Sequence, residues 1–179
     1  MKIPRRTFLQ WAASVVLGTL GLVGIGCRSK PKRREAEPIS SDVDAILVAA
    51  CARLLPSDDG PGAREADCAE YVRRALAVPY LAEERVLVLE GARRLDAVAR
   101  RDWAGPFVTI APDAQDRVLT HVQGGGEDEG TFDGGLFLED LLELTLEGFL
   151  GDPRHGGNRG EVGWKFIGYT PGCARHDGR

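Results

Sequence analysis

The chain has 179 residues, 43% hydrophobic and 28% charged, with a formal net charge of −4. That suffices for one domain of ordinary size and is too little for a large cofactor-binding enzyme plus a second domain. Residues 1–26 carry +3 and residues 27–37 another +3, which leaves −10 on residues 38–179. So acidic a body does not collect nucleic acid by counterion release.

In chain order, the first element is an address. Lys2-Ile3-Pro4-Arg5-Arg6-Thr7-Phe8-Leu9-Gln10 precedes an uncharged run from Trp11 to Gly26. Sixteen residues fall short of the roughly 20 that a spanning helix needs, and a basic cluster in front of them marks a targeting segment. Arg5 and Arg6, with Phe8 and Leu9 in register, resemble the twin-arginine export signal of bacteria, whose translocase moves folded cargo. Gln10 stands where Lys is frequent. The run ends Gly24-Ile25-Gly26-Cys27, and two readings stay open. Gly26-Cys27 resembles a lipobox, with Cys27 acylated and the protein tethered to the membrane, while Gly24-Ile25-Gly26 would also serve as a small-x-small cleavage site. Residues 27–39 then form a basic tether (Arg28, Lys30, Lys32, Arg33, Arg34) able to lie on an anionic membrane surface.

From Ser40 the pattern is helical. Val43, Ile46, Leu47, Ala50 and Leu54 form one apolar stripe, and Pro56 ends it. A turn-rich connector, 57–62, leads to a second helix over about Ala63–Ala77, closed by Pro79. A third covers about Ala82–Arg101, with Val88, Ala92, Leu95 and Ala99 on one side. A fourth starts at Pro112, favoured in a first turn, and carries Val118, Leu119 and Val122. A fifth covers about Gly135–Leu150. In it Leu138, Leu141, Leu142, Thr145 and Phe149 are expected inside, and Glu139, Asp140, Glu143 and Glu147 on a solvated strip. No alternating strand pattern appears. The expected fold is therefore all-α, with about five helices in a domain spanning 40–179. Its tail, 151–179, is rich in glycine and carries Trp164, Phe166 and Tyr169. It is expected as an irregular strap, not a helix, whose aromatics need a surface to lie on.

Chemistry-bearing patterns are sparse. There is no C-x-x-C-H, no C-x-x-C pair, no iron–sulfur spacing, no P-loop and no G-x-S-x-G. His121, His155 and His176 lack metal-ligand spacing, so no catalytic, cofactor-binding or metal-ligating residue is assigned. Asp58-Asp59 and Asp128-Glu129 sit in loops where acids are expected anyway. In an oxidising compartment Cys51 and Cys68, 17 residues apart, could close a loop worth about 3 kcal/mol. Alternatively Cys51 is simply a small core residue. Cys173 would remain for another chain.

Two segments carry a family resemblance. The tail reads Gly148-Phe149-Leu150-Gly151-Asp152-Pro153, then Gly156-Gly157-Asn158, then Gly163-Trp164 and Ile167-Gly168-Tyr169. Upstream stands Leu54-Leu55-Pro56-Ser57-Asp58-Asp59-Gly60-Pro61-Gly62-Ala63. Both resemble the small (gamma) subunit family of membrane-bound gluconate 2-dehydrogenase, known as gluconate 2-dehydrogenase subunit 3. Departures are Gly60 in the place of a frequent Thr, His155 where Tyr is common, and Thr170 before Pro171-Gly172. The resemblance implies an accessory subunit with no cofactor of its own. Its partner would be a large FAD-dependent dehydrogenase subunit of the glucose–methanol–choline class acting on a sugar or sugar acid, with a cytochrome c subunit as electron outlet. The leader would then carry the loaded flavoprotein to the periplasmic face of the inner membrane. Trp164, Phe166, Tyr169 and Cys173 are the candidate partner contacts, although glycine-flanked aromatics also staple loops to their own helices. The competing reading is a stand-alone envelope lipoprotein that serves as a protein-binding module.

Overall fold

A computed structural model describes residues 37–125 and 131–172, all within one packing unit that spans 35–179. The leader residues Arg5, Arg6, Phe8 and Leu9, and Cys27 and Cys173, lie outside the described residues. The described residues form six α-helices and no strand, an all-α bundle.

Helix α1 is Ser41–Leu54, α2 Cys68–Leu76, α3 Ala82–Trp103, α4 Pro112–Gln123, α5 Gly134–Leu150 and α6 Val162–Phe166. The ends follow local chemistry. Asp42 and Asp44 lie in the first turn of α1, where carboxylates complement the helix dipole. Pro112 opens α4 at a position whose N–H would have no helical partner. Asp133 caps α5, its carboxylate accepting the Leu136 N–H at 2.9 Å. Helix α3 stops where Ala104 takes a left-handed conformation, just before Gly105-Pro106.

Helix α5 is the hub and packs against each of the other five. Its Phe137, Leu141 and Thr145 are fully buried beside Leu47, Val72, Leu76, Val88, Leu95 and Val118, so the core sits around α5 and draws on α1–α4. Two ion pairs join the helices near the surface. Arg53 of α1 grips Asp116 of α4 through two hydrogen bonds of 2.7 Å, and Arg73 of α2 reaches Asp44 of α1 at 2.8 Å. Among the described residues, no helix is long and apolar enough to cross a membrane.

Four sequence expectations change. The second helix starts at Cys68, not Ala63: the Glu65 carboxylate accepts the Ser57 hydroxyl and the Gly62 N–H, and Asp67 adopts φ 54°, so residues 63–67 are a turn. Leu142 points outward, because the inward arc of α5 is filled by Leu138, Leu141, Leu144 and Thr145. The strap is partly helical, since α6 and two short 3₁₀ turns, Pro153–His155 and Arg159–Glu161, lie within it. Finally, Cys51 and Cys68 are not bridged. Both are free thiols packed into the core, and the Thr145 hydroxyl meets the Cys51 sulfur at 3.3 Å.

Candidate functional site

The strap is anchored through one side chain. Asn158 is fully buried, with φ 41°; its Nδ2 donates to the Gly151 carbonyl and its Oδ1 accepts the Gly163 N–H, both at 2.9 Å. It therefore ties the end of α5 to the start of α6. Gly156-Gly157-Asn158 is a sequence that takes a left-handed turn readily, but the buried bridge is not legible in it. Nothing in a local pattern says that both amide ends of one side chain will find backbone. Beside it, Gly157 (φ 70°) lies against the Gly148 carbonyl of α5 so closely that a Cβ there would overlap it. The backbone of Arg159 donates to the Ala66 carbonyl, which fastens the strap to the turn before α2.

The aromatics of the strap divide. Trp164 is half-buried; its indole N–H donates to the Leu150 carbonyl at 2.6 Å, and its ring meets Tyr169 edge-on at 5.2 Å. Phe166 packs edge-on against Phe149 at 6.4 Å and lies over Gly60, yet stays 57% exposed. Ile167 and Tyr169 are 56% and 51% exposed. The strap thus holds itself down by Trp164 and presents Phe166, Ile167 and Tyr169 outward.

This exposed patch adjoins one that the sequence did not suggest. Along α5, Leu142, Leu146 and Leu150 recur every fourth residue and are 38%, 39% and 43% exposed. Leu150 is also the residue whose carbonyl holds Trp164, so the leucine row runs into the strap. Glu139, Glu143 and Glu147 flank the row, and together these six residues line an open groove of about 480 Å³. A second depression of about 640 Å³ shares Leu142 and Glu139 and continues toward Leu54, Leu119 and Leu138. The signal for the outward row was its spacing of four, in register with the glutamates, but inward and outward leucines alternate too closely on α5 for periodicity to sort them.

The charged groups that line the neighbouring cleft are all acidic. Glu84 of α3 joins Asp140, Glu143 and Glu147 around a smaller cleft beneath Tyr80. Burial, and then the neighbouring Glu84, Glu143 and Glu139, push the Asp140 carboxyl above its ordinary range. Glu84 Oε2 is shielded from solvent without a hydrogen-bond partner. Tyr71 donates to Glu147 at 2.9 Å, and burial together with that carboxylate pushes its phenol up to about 12.

The thiols are equally distinct from reactive cysteines. Burial pushes Cys51 up to about 11 and Cys68 up to about 12, so both are protonated at neutral pH and neither is a nucleophile there. Among the described residues, no three His, Cys, Asp or Glu side chains are grouped to hold a metal ion.

These features define a small helical body whose distinctive surface is an exposed apolar and acidic face joined to an anchored aromatic strap. The sequence profile of the family described as Gluconate 2-dehydrogenase subunit 3 matches residues 42–172, and the chain belongs to that family. By that membership it is an accessory subunit that associates with other subunits of a dehydrogenase complex. No curated protein and no solved structure matches the chain.

Proposed function

We propose that this chain is the non-catalytic small subunit of a periplasmic, FAD-dependent sugar or sugar-acid dehydrogenase of the glucose–methanol–choline type. It escorts the flavoprotein through export and then stabilises it, holding no cofactor of its own. The observation that carries the reading is the family match across 42–172, joined to a strap that leaves Phe166, Ile167 and Tyr169 exposed. Exposed aromatics on an anchored backbone are the side chains that bind a partner at low entropic cost. The leader supports the escort role. Arg5-Arg6 with Phe8-Leu9 resembles a signal for folded cargo, and a flavoprotein must close around FAD before it leaves the cytoplasm. Cys27 would anchor the assembly at the periplasmic face of the inner membrane if acylated, and a cytochrome c subunit would take the electrons onward.

The test is co-expression with a large FAD-dependent subunit encoded beside this chain. Periplasmic flavin and acceptor-linked sugar oxidation should appear only when both chains are made, and Arg5→Lys with Arg6→Lys should hold both in the cytoplasm. A large subunit that reaches the periplasm fully active without this chain would overturn the escort role.

A further inference from the structure

We propose that the α5 face built from Leu142, Leu146 and Leu150 and edged by Glu139, Glu143 and Glu147 is the seat for a basic, amphipathic segment of the large subunit. Its apolar side chains would lie along the leucine row, and its Lys or Arg side chains would pair with the carboxylates. The inference rests on the partner reading above and assigns it a surface.

Three observations select this occupant. The first is the apolar row itself: three leucines at every fourth position, all more than a third exposed, open into a groove of about 480 Å³. Rows of that spacing are how one helix receives an amphipathic partner. The second is that the carboxylates bordering it have no cation. Among the described residues, Glu139, Glu143 and Glu147 enter no ion pair, whereas the carboxylates of Glu70, Glu90, Asp96 and Asp116 all do. The third is that the like charges around Asp140 and Glu84 raise the negative potential on the same side, which an incoming cation would relieve.

The same charges count against other occupants. A second copy would set acid against acid. An anionic membrane would be repelled. The chain's own tether, 27–36, is basic enough but contains no large apolar side chain to fill the leucine row, and the run 11–26 is apolar but uncharged.

The experiment uses the full chain co-expressed with the large subunit. Glu139→Lys/Glu143→Lys and Leu142→Ser/Leu146→Ser change exposed side chains, so both variants should keep the wild-type helical signal and unfolding midpoint within a few degrees. Each should weaken capture of the large subunit by about tenfold or more. Wild-type capture should weaken as salt is raised, and the lysine variant should lose that dependence. Leu146→Cys, read by maleimide labelling at the peptide level, should react in the isolated chain and be protected in the complex. Capture by both variants at the wild-type level would overturn this surface while leaving the partner reading intact. Failure of the wild-type chain to bind the large subunit would overturn both together. Protection of Leu146→Cys in the isolated chain, relieved either by dilution to monomer or by deleting residues 1–36, would assign the face to a second copy or to the leader and overturn the proposal.

Discussion

The indole N–H of Trp164 donates to the carbonyl of Leu150 at 2.6 Å, across the last turn of α5. Leu150 is both the final leucine of the exposed row and the acceptor that holds the strap, so one hydrogen bond joins two surfaces that are separate in sequence. Replacing Trp164 with Phe removes the donor and keeps most of the ring. The variant should lose about 1 kcal/mol in urea unfolding, with cleavage by trypsin rising at Lys165 first.

Asn158 should be the most sensitive polar residue in the strap. Asn158→Ala leaves the Gly151 carbonyl and the buried Gly163 N–H without their partner, and it puts a side chain less tolerant of φ 41° in the turn. The expected loss is about 2–4 kcal/mol, read from chemical unfolding. Asn158→Gly relieves the backbone and should cost less than Asn158→Ala. The reverse order would mean that the left-handed backbone at position 158 contributes little, and that the lost amide alone sets the cost.

Two glycines should respond differently to the same added methyl. At Gly157 the methyl meets a helix carbonyl in a left-handed backbone, and neither can move, so Gly157→Ala should cost about 2 kcal/mol or more and loosen the strap. At Gly60 it meets the ring of Phe166, an exposed side chain that can swing away. Gly60→Ala should cost under about 1 kcal/mol and lower the contact of Phe166 with Phe149. Thermal melts of the pair, beside limited proteolysis of the tail, decide it.

The thiols set an alkaline limit. Burial raises Cys51 and Cys68 above the ordinary thiol value of 9.0, to about 11 and about 12. Their proton is therefore held more tightly in the folded chain than in the unfolded one. The stability they contribute is complete below about pH 9 and is lost as pH rises through about 11 for Cys51 and about 12 for Cys68. Cys51→Ala should lessen the fall of unfolding free energy over that interval, leaving the part that belongs to Cys68. Neither native thiol should react with a disulfide reagent at pH 7.5 faster than the chain opens.

Asp140 should trade stability for charge. Its carboxyl is held above the usual range by burial and by Glu84, Glu143 and Glu139, so ionising it at neutral pH opposes folding. Its contribution is favourable below the unfolded carboxylate range and fades as pH rises through the raised folded value. Asp140→Asn should therefore raise the melting temperature at pH 7 and have little effect near pH 3. A lower melting temperature at pH 7 would mean that the carboxylate has a compensating partner.

Much of the bundle could be read before folding. The stripes of α1 and α3, Pro112 at the head of α4 and the extent of α5 follow from apolar spacing and from residues whose backbone preferences act within a few positions. Val88, Ala92, Leu95 and Ala99 are all fully buried, on the side where their period placed them. The likeness of 54–63 and 148–169 to one family was legible for a similar reason: glycines and prolines at fixed intervals prescribe a backbone path.

What sequence could not decide was which way the leucine-rich α5 would turn, and what the buried polar groups would meet. Leu141 and Leu142 are chemically identical, and only the positions of α1, α2, α3 and α4 around the helix assign one to the core and the other to solvent. The same holds for Asn158, whose two partners lie seven residues before and five after it, and for Cys51, whose neighbour Thr145 is 94 residues away. Local propensity reaches about one turn along the chain; side-chain burial and hydrogen-bond partnership depend on contacts that exist only after the helices have packed.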